Sequence, residues 1–131
     1  METQPHPAKR VLLIEDDFLL RELVTMVLGG EGYMVATASN GADAFQRLRH
    51  YEKPQLILLD LMMPGMDGWH FREEQKKDPQ LATIPVVVVS AIGDLEEKAS
   101  SLGATAYLKK PVDAASLLET VRRCCCQAAT A

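Results

Sequence analysis

Cysteine is scarce, and the three present, Cys124, Cys125 and Cys126, stand side by side, so the sequence contains no disulfide framework. They lack zinc-binding spacing and have no second cluster. Successive helical residues point about 100° apart, so such a run reads as helix-end packing plus surface. No block of Lys or Arg occurs and the formal net charge is -4, which gives no basis for direct nucleic-acid binding. No apolar run approaches the length of a bilayer. The first residues are polar with two prolines and lack the apolar segment of a signal peptide, so they read as a loose arm. The expected compartment is the cytoplasm. His6, His50 and His70 are scattered and suggest no metal site. There is neither an internal repeat nor an internal linker.

What is present fits one packed domain: 131 residues, 47% apolar and 24% charged. The expected layout is an arm at 1–8, a domain at 9–127 and a short tail at 128–131. Within the domain, apolar runs of strand length alternate with helix-period segments. Val11 to Ile14 is apolar at every residue, the signature of a strand buried on both faces. Leu20, Leu23, Val24, Val27 and Leu28 then follow the spacing of an amphipathic helix, which leaves Phe18, Leu19 and Met26 outward. Tyr33 to Ala38 is a second strand, and Asn40-Gly41 turns into a helix containing Ala44, Phe45 and Leu48. Leu56 to Leu59 delivers Asp60, and a helix follows from about Trp69 to Lys77. Val86 to Val89 ends at Ser90, Leu95 to Leu102 is a short helix, and Ala106 to Leu108 ends near Lys110-Pro111. Asp113 is placed to cap a last helix whose inner face holds Leu117, Val121 and one or two cysteines.

Five βα units with right-handed crossovers predict an α/β domain with a doubly wound parallel sheet and helices on both faces. Ligands in such sheets bind outside the carboxyl ends of the strands. Those ends carry Glu15-Asp16-Asp17, Asp60, Ser90 and Lys110. Converging carboxylates repel one another unless a cation compensates them. Magnesium suits an oxygen-donor pocket of this kind, since it takes one or two carboxylates, keeps waters and accepts phosphate oxygens. A lysine, a hydroxyl and a carboxylate nucleophile complete the parts of a phosphoryl-transfer site. Each residue alone has a bland reading: Asp17 as a helix cap, Asp60 as a loop acid, Ser90 as a turn residue, Lys110 as a surface lysine. The Met62, Met63 and Met66 group reads as core and loop filling.

The stretches Val11 to Asp17, Leu59 to Gly68, Val89 to Ala91 and Gly103 to Pro111, in that order, resemble the receiver domain of two-component response regulators, the flavodoxin-like fold of the chemotaxis receiver. The resemblance covers about residues 9 to 123. It implies strand order 2-1-3-4-5, phosphorylation of Asp60, and magnesium, with manganese a substitute. The metal would be held by Asp16, Asp60, the Met62 backbone carbonyl and, through water, Glu15. It implies roles for Lys110, for Ser90 as the switch hydroxyl and for Tyr107 as the aromatic switch residue, although a strand tyrosine needs no such role. Lys110-Pro111 would be a cis peptide. The implied donor is a sensor histidine kinase or a histidine phosphotransfer protein. The output would be an unidentified protein target, onward relay of the phosphoryl group, or a phosphorylation-dependent dimer through the fourth helix, fifth strand and fifth helix. The start at Met1 and the Ala-rich end read as a stand-alone receiver. Three rivals are weaker. A carboxylate-nucleophile phosphatase places an acid where Met62 stands. A flavin carrier needs a phosphate loop where Glu15-Asp16-Asp17 would repel phosphate. A degenerate receiver would lack some part of the pocket.

Overall fold

The computed structural model describes residues 9–63, 65 and 67–130. Five strands and five helices alternate: β1 (Lys9–Ile14), α1 (Phe18–Gly29), β2 (Tyr33–Ala38), α2 (Gly41–His50), β3 (Leu56–Asp60), α3 (Gly68–Lys77), β4 (Val86–Ser90), α4 (Leu95–Ser101), β5 (Ala106–Lys109) and α5 (Ala114–Thr130). The strands form one parallel sheet in the order β2-β1-β3-β4-β5. This is the expected flavodoxin-like architecture. Every residue of β3 and β4 is buried, which is why those segments read as unbroken apolar runs. The edge strand β2 instead alternates and leaves Met34 and Ala36 exposed.

Alternate strand residues feed two cores. On one face Leu12, Ile14, Ile57, Leu59, Val86 and Val88 pack with Phe45, Leu48 and Phe71, the two phenylalanine rings lying 4.7 Å apart. Trp69, at the start of α3, packs against this core. On the other face Val11, Leu13, Leu58 and Val87 meet Val24 and Leu28 of α1 and Leu117, Val121, Cys124 and Cys125 of α5. Both of these cysteines are therefore inner-face packing, and burial pushes the Cys124 thiol up from its ordinary value. Cys126, like Met66 and the arm at 1–8, carries no described side chain. Helix α5 runs on to Thr130, through the start of the segment expected as a tail.

One core assignment needs correction. Leu23 was expected to face inward, but it is 44% exposed. On the helical wheel it lies about 100° from Val24, and the inner stripe of α1 is narrow, with only Val24 and Leu28 buried. A second feature has no counterpart in the apolar pattern. Arg72 and Gln75 of α3 are buried. The Arg72 guanidinium donates to the carbonyls of Leu102 (2.9 Å) and Gly103 (3.0 Å) and to Gln75 Oε1 (2.8 Å). The Gln75 amide donates to the carbonyls of Leu81 and Ile84. This network fixes the C-terminal end of α4 to α3.

Candidate functional site

Parallel register brings the strand ends level. Ile14 lies beside Leu59 and Ala38, Asp60 beside Val89, and Ser90 beside Lys109. The residues after these positions therefore share one rim. Glu15, the first residue past β1, is 1% exposed, whereas Asp16 is exposed. Asp17 turns the chain into α1 as its N-cap, its Oδ1 accepting from the Leu19 (2.9 Å) and Leu20 (3.3 Å) amides. That is the bland role expected of it.

Asp60 closes β3 and is 3% exposed. Its Oδ1 accepts from the Met62 amide at 3.1 Å, and its Oδ2 lies 3.5 Å from Lys110 Nζ. The same ammonium is nearer Glu15, at 3.0 Å from Oε1. Lys110 thus sits between two of the acids. Its backbone amide donates to the Ser90 carbonyl at 3.0 Å, and its bond to Pro111 is cis. Carboxylate oxygens of Glu15, Asp16 and Asp60 lie within 4.8 Å of one another. Three hard oxygen donors facing one ammonium leave the pocket short of positive charge, and this donor set fits a small divalent cation.

The electrostatics are consistent with that shortage. Burial pushes the Glu15 carboxyl above its ordinary value, with repulsion from Asp60 adding to it; the Lys110 and Asp17 hydrogen bonds act the other way. Burial alone would pull the Lys110 ammonium down, but pairing with Glu15 and Asp60 outweighs it and the net shift is upward. Lys110 is therefore a fixed cation at neutral pH.

Ser90 is fully buried, and its Oγ accepts from the Ile92 amide at 3.3 Å. Tyr107, on β5 beside Val88, is 42% exposed and outside the acidic cluster. Met62 is largely exposed at the rim and Ile92 is half-buried. Of the methionines, Met63 fills core.

Residues 11–122 match the family described as the response regulator receiver domain. The chain belongs to the response regulator receiver family. Protein PilH of Pseudomonas aeruginosa is 34% identical to this receiver over 114 residues, 86% of this chain and 93% of PilH. The DNA-binding dual master transcriptional regulator RpaA of Synechocystis is 37% identical over 115 residues, which is 86% of this chain but 47% of RpaA. The receiver thus spans about half the length of RpaA and of the similar regulator ycf27 of Guillardia theta. Among solved structures, the signal receiver domain of a signal transduction histidine kinase from Syntrophus aciditrophicus superposes with TM-score 0.82 at 30% identity, covering 92% of each chain. Chemotaxis protein CheY4 of Vibrio cholerae gives TM-score 0.82 at 28% identity over 89% of this chain and 98% of that one.

Three supports of the receiver's rim were not singled out from the sequence. Arg21 Nη1 donates to the Glu15 carbonyl at 2.8 Å and ties α1 to the end of β1. Lys109 Nζ donates to the Ile92 carbonyl at 3.1 Å and holds the β4–α4 loop against β5. Gly68 presses the start of α3 onto the end of β3: a Cβ there would stand 2.7 Å from both the Asp60 carbonyl oxygen and Leu61 Cα. This close approach becomes visible only with α3 folded back onto β3.

Proposed function

We propose that this receiver is a phosphoacceptor switch in two-component signalling, with Asp60 the residue phosphorylated. The observation that carries the reading is the setting of the Asp60 carboxylate, buried at a strand end between Lys110 and two further acids. In the transfer, an Asp60 carboxylate oxygen attacks the phosphorus of a phosphohistidine in line. The P–N bond breaks, its electron pair stays on the imidazole, and an acyl phosphate forms. Asp16, Asp60, the Met62 carbonyl and, through water, Glu15 would hold magnesium, which when bound neutralises charge on the equatorial oxygens. Lys110 holds Asp60 in place and meets one of the added oxygens. The Ser90 hydroxyl, whose oxygen now accepts from Ile92, reorients to donate to another. Tyr107 then turns inward into the space vacated, reshaping α4, β5 and α5.

The donor is a sensor histidine kinase or a histidine phosphotransfer protein. The output is a protein target, onward relay, or pairing of two receivers through α4, β5 and α5. No helix among the described residues is long and apolar enough to cross a membrane. Acetyl phosphate with magnesium should add one phosphoryl group by intact mass. Chelator should abolish the addition. Asp60→Asn labelled to the same extent would overturn the assignment.

A further inference from the structure

At the end of the sheet away from the acidic rim, the starts of β1 and β2 and the end of α2 line an open-sided cavity of about 460 Å³. Small-molecule sites are commonly about 300–1,000 Å³ and mostly apolar with a few placed polar groups. Here Leu12, Met34 and Tyr51 supply apolar and aromatic wall, with Met34 and Tyr51 kept largely exposed by the open edge of β2. Two guanidiniums and one carboxylate join them. Arg10 pairs with Glu52 at 2.8 Å. Arg47 is left as the lining cation with no carboxylate partner among the described residues, and its Nε is buried without a hydrogen-bond partner. Buried donors without acceptors are uncommon, and Arg47 is the residue of this wall that carries one. In a chain of net charge -4, this corner carries an unbalanced positive charge.

We propose that the cavity binds a small amphipathic anion: an aromatic or alicyclic body against Leu12, Met34 and Tyr51, with a carboxylate on Arg47. A guanidinium presents parallel donors that match a carboxylate, which favours that head group over a neutral amide. The site is independent of Asp60 chemistry, because it lies at the opposite ends of the strands.

The test uses the whole chain in chelator with 2-naphthoate as the probe, followed by backbone amide spectra. Shifts confined to residues 34–36 and 47–52 and a dissociation constant of about 10⁻⁴ M are expected for a fragment of this size. The neutral 2-naphthamide should bind about tenfold more weakly, and Arg47→Met should lose about tenfold. Arg47→Lys, which keeps the charge, should fall between. Melting curves of each variant establish that it is folded. Equal binding of the amide, unchanged affinity in a folded Arg47→Met, or shifts mapping to α1 would overturn the proposal. So would binding that appears only after removal of residues 1–8, or a cavity occupied by a second copy, seen as concentration-dependent sedimentation. Phosphorylation of Asp60 is scored separately by mass, so failure of either claim leaves the other standing.

Discussion

Glu15 shows most directly what the pocket costs when its charges are uncompensated. Its folded carboxyl is raised above the ordinary 4.5 by burial first and Asp60 second. The metal-free folded state therefore holds this proton more tightly than the unfolded chain. The resulting stabilisation is complete below the ordinary value and is lost as pH rises through the folded one. Glu15→Gln cannot ionise. In chelator its melting temperature relative to the parent should therefore climb as pH is raised from about 4.5 toward neutrality. A difference that stays flat across that range would mean that Glu15 titrates like a surface acid. A second residue-scale expectation concerns lifetime. On the proposed reading, Met62 and Ile92 would flank the approach of water to an Asp60 acyl phosphate. Neither side chain can orient a water by hydrogen bonding. Slow self-dephosphorylation is expected. Met62→Asn with Ile92→Glu should speed decay of the purified phosphoprotein by roughly tenfold or more, since positioning a water through a hydrogen bond or base is commonly worth ~10²-fold. A rate unchanged or slower at saturating magnesium would show that these side chains do not gate the water.

Among the elements, α1 has the most to reveal. Phe18, Leu19, Leu23 and Met26 are all exposed, and they start beside the acidic rim, where Arg21 anchors the helix. A run of large apolar groups in that place suits a helical partner. Replacing Leu19 and Met26 with Ser should slow transfer from a phosphohistidine protein by about tenfold while leaving labelling by acetyl phosphate unchanged; a parallel fall in both reactions would mean that the pocket was damaged. The same helix shows how far sequence reading reaches. Strands β3 and β4 were legible because burial on both faces leaves an unbroken apolar run, and Asp60 and Ser90 followed from where those runs stop. Asp17 and Asp113 were legible as caps because an N-cap oxygen serves amides two or three residues on, as Asp113 does for Ser116 at 2.7 Å. Leu23 was misjudged because periodicity gives the direction of the inner face but not its width. Arg72 and Gln75 were not legible as core at all. Arg72 finds the Leu102 carbonyl 30 residues away, and such a pairing exists only once α3 and the end of α4 have packed.

Across the whole molecule, cation binding and switching should both be readable as shifts in stability and shape. Magnesium at about 100 times its dissociation constant should stabilise the fold by ~2.7 kcal/mol. That corresponds to a rise in melting temperature of several degrees for a domain of this size. Asp16→Asn should lose most of that rise, and an undiminished shift would place the cation elsewhere. Beryllofluoride with magnesium should move resonances of Tyr107 and α4 as well as of the pocket; shifts confined to Glu15, Asp16 and Asp60 would count against a switch reaching β5. The strand order also has a consequence for how the chain reaches its fold. Strand β1 pairs with β2 on one side and with β3 on the other, yet β2 and α2 must both be made before β3 exists. Until Leu56 to Asp60 has emerged from the ribosome, the apolar run Val11 to Ile14 keeps one unsatisfied row of backbone donors and acceptors. An open apolar edge of that kind recruits strands from other chains. A fragment ending at Lys53 should therefore self-associate at micromolar concentration, while the full chain, in which β3 covers that edge of β1 and β5 covers β4, should do so less. Sedimentation of the fragment and the full chain would show it, and a monomeric fragment would count against an exposed β1 edge.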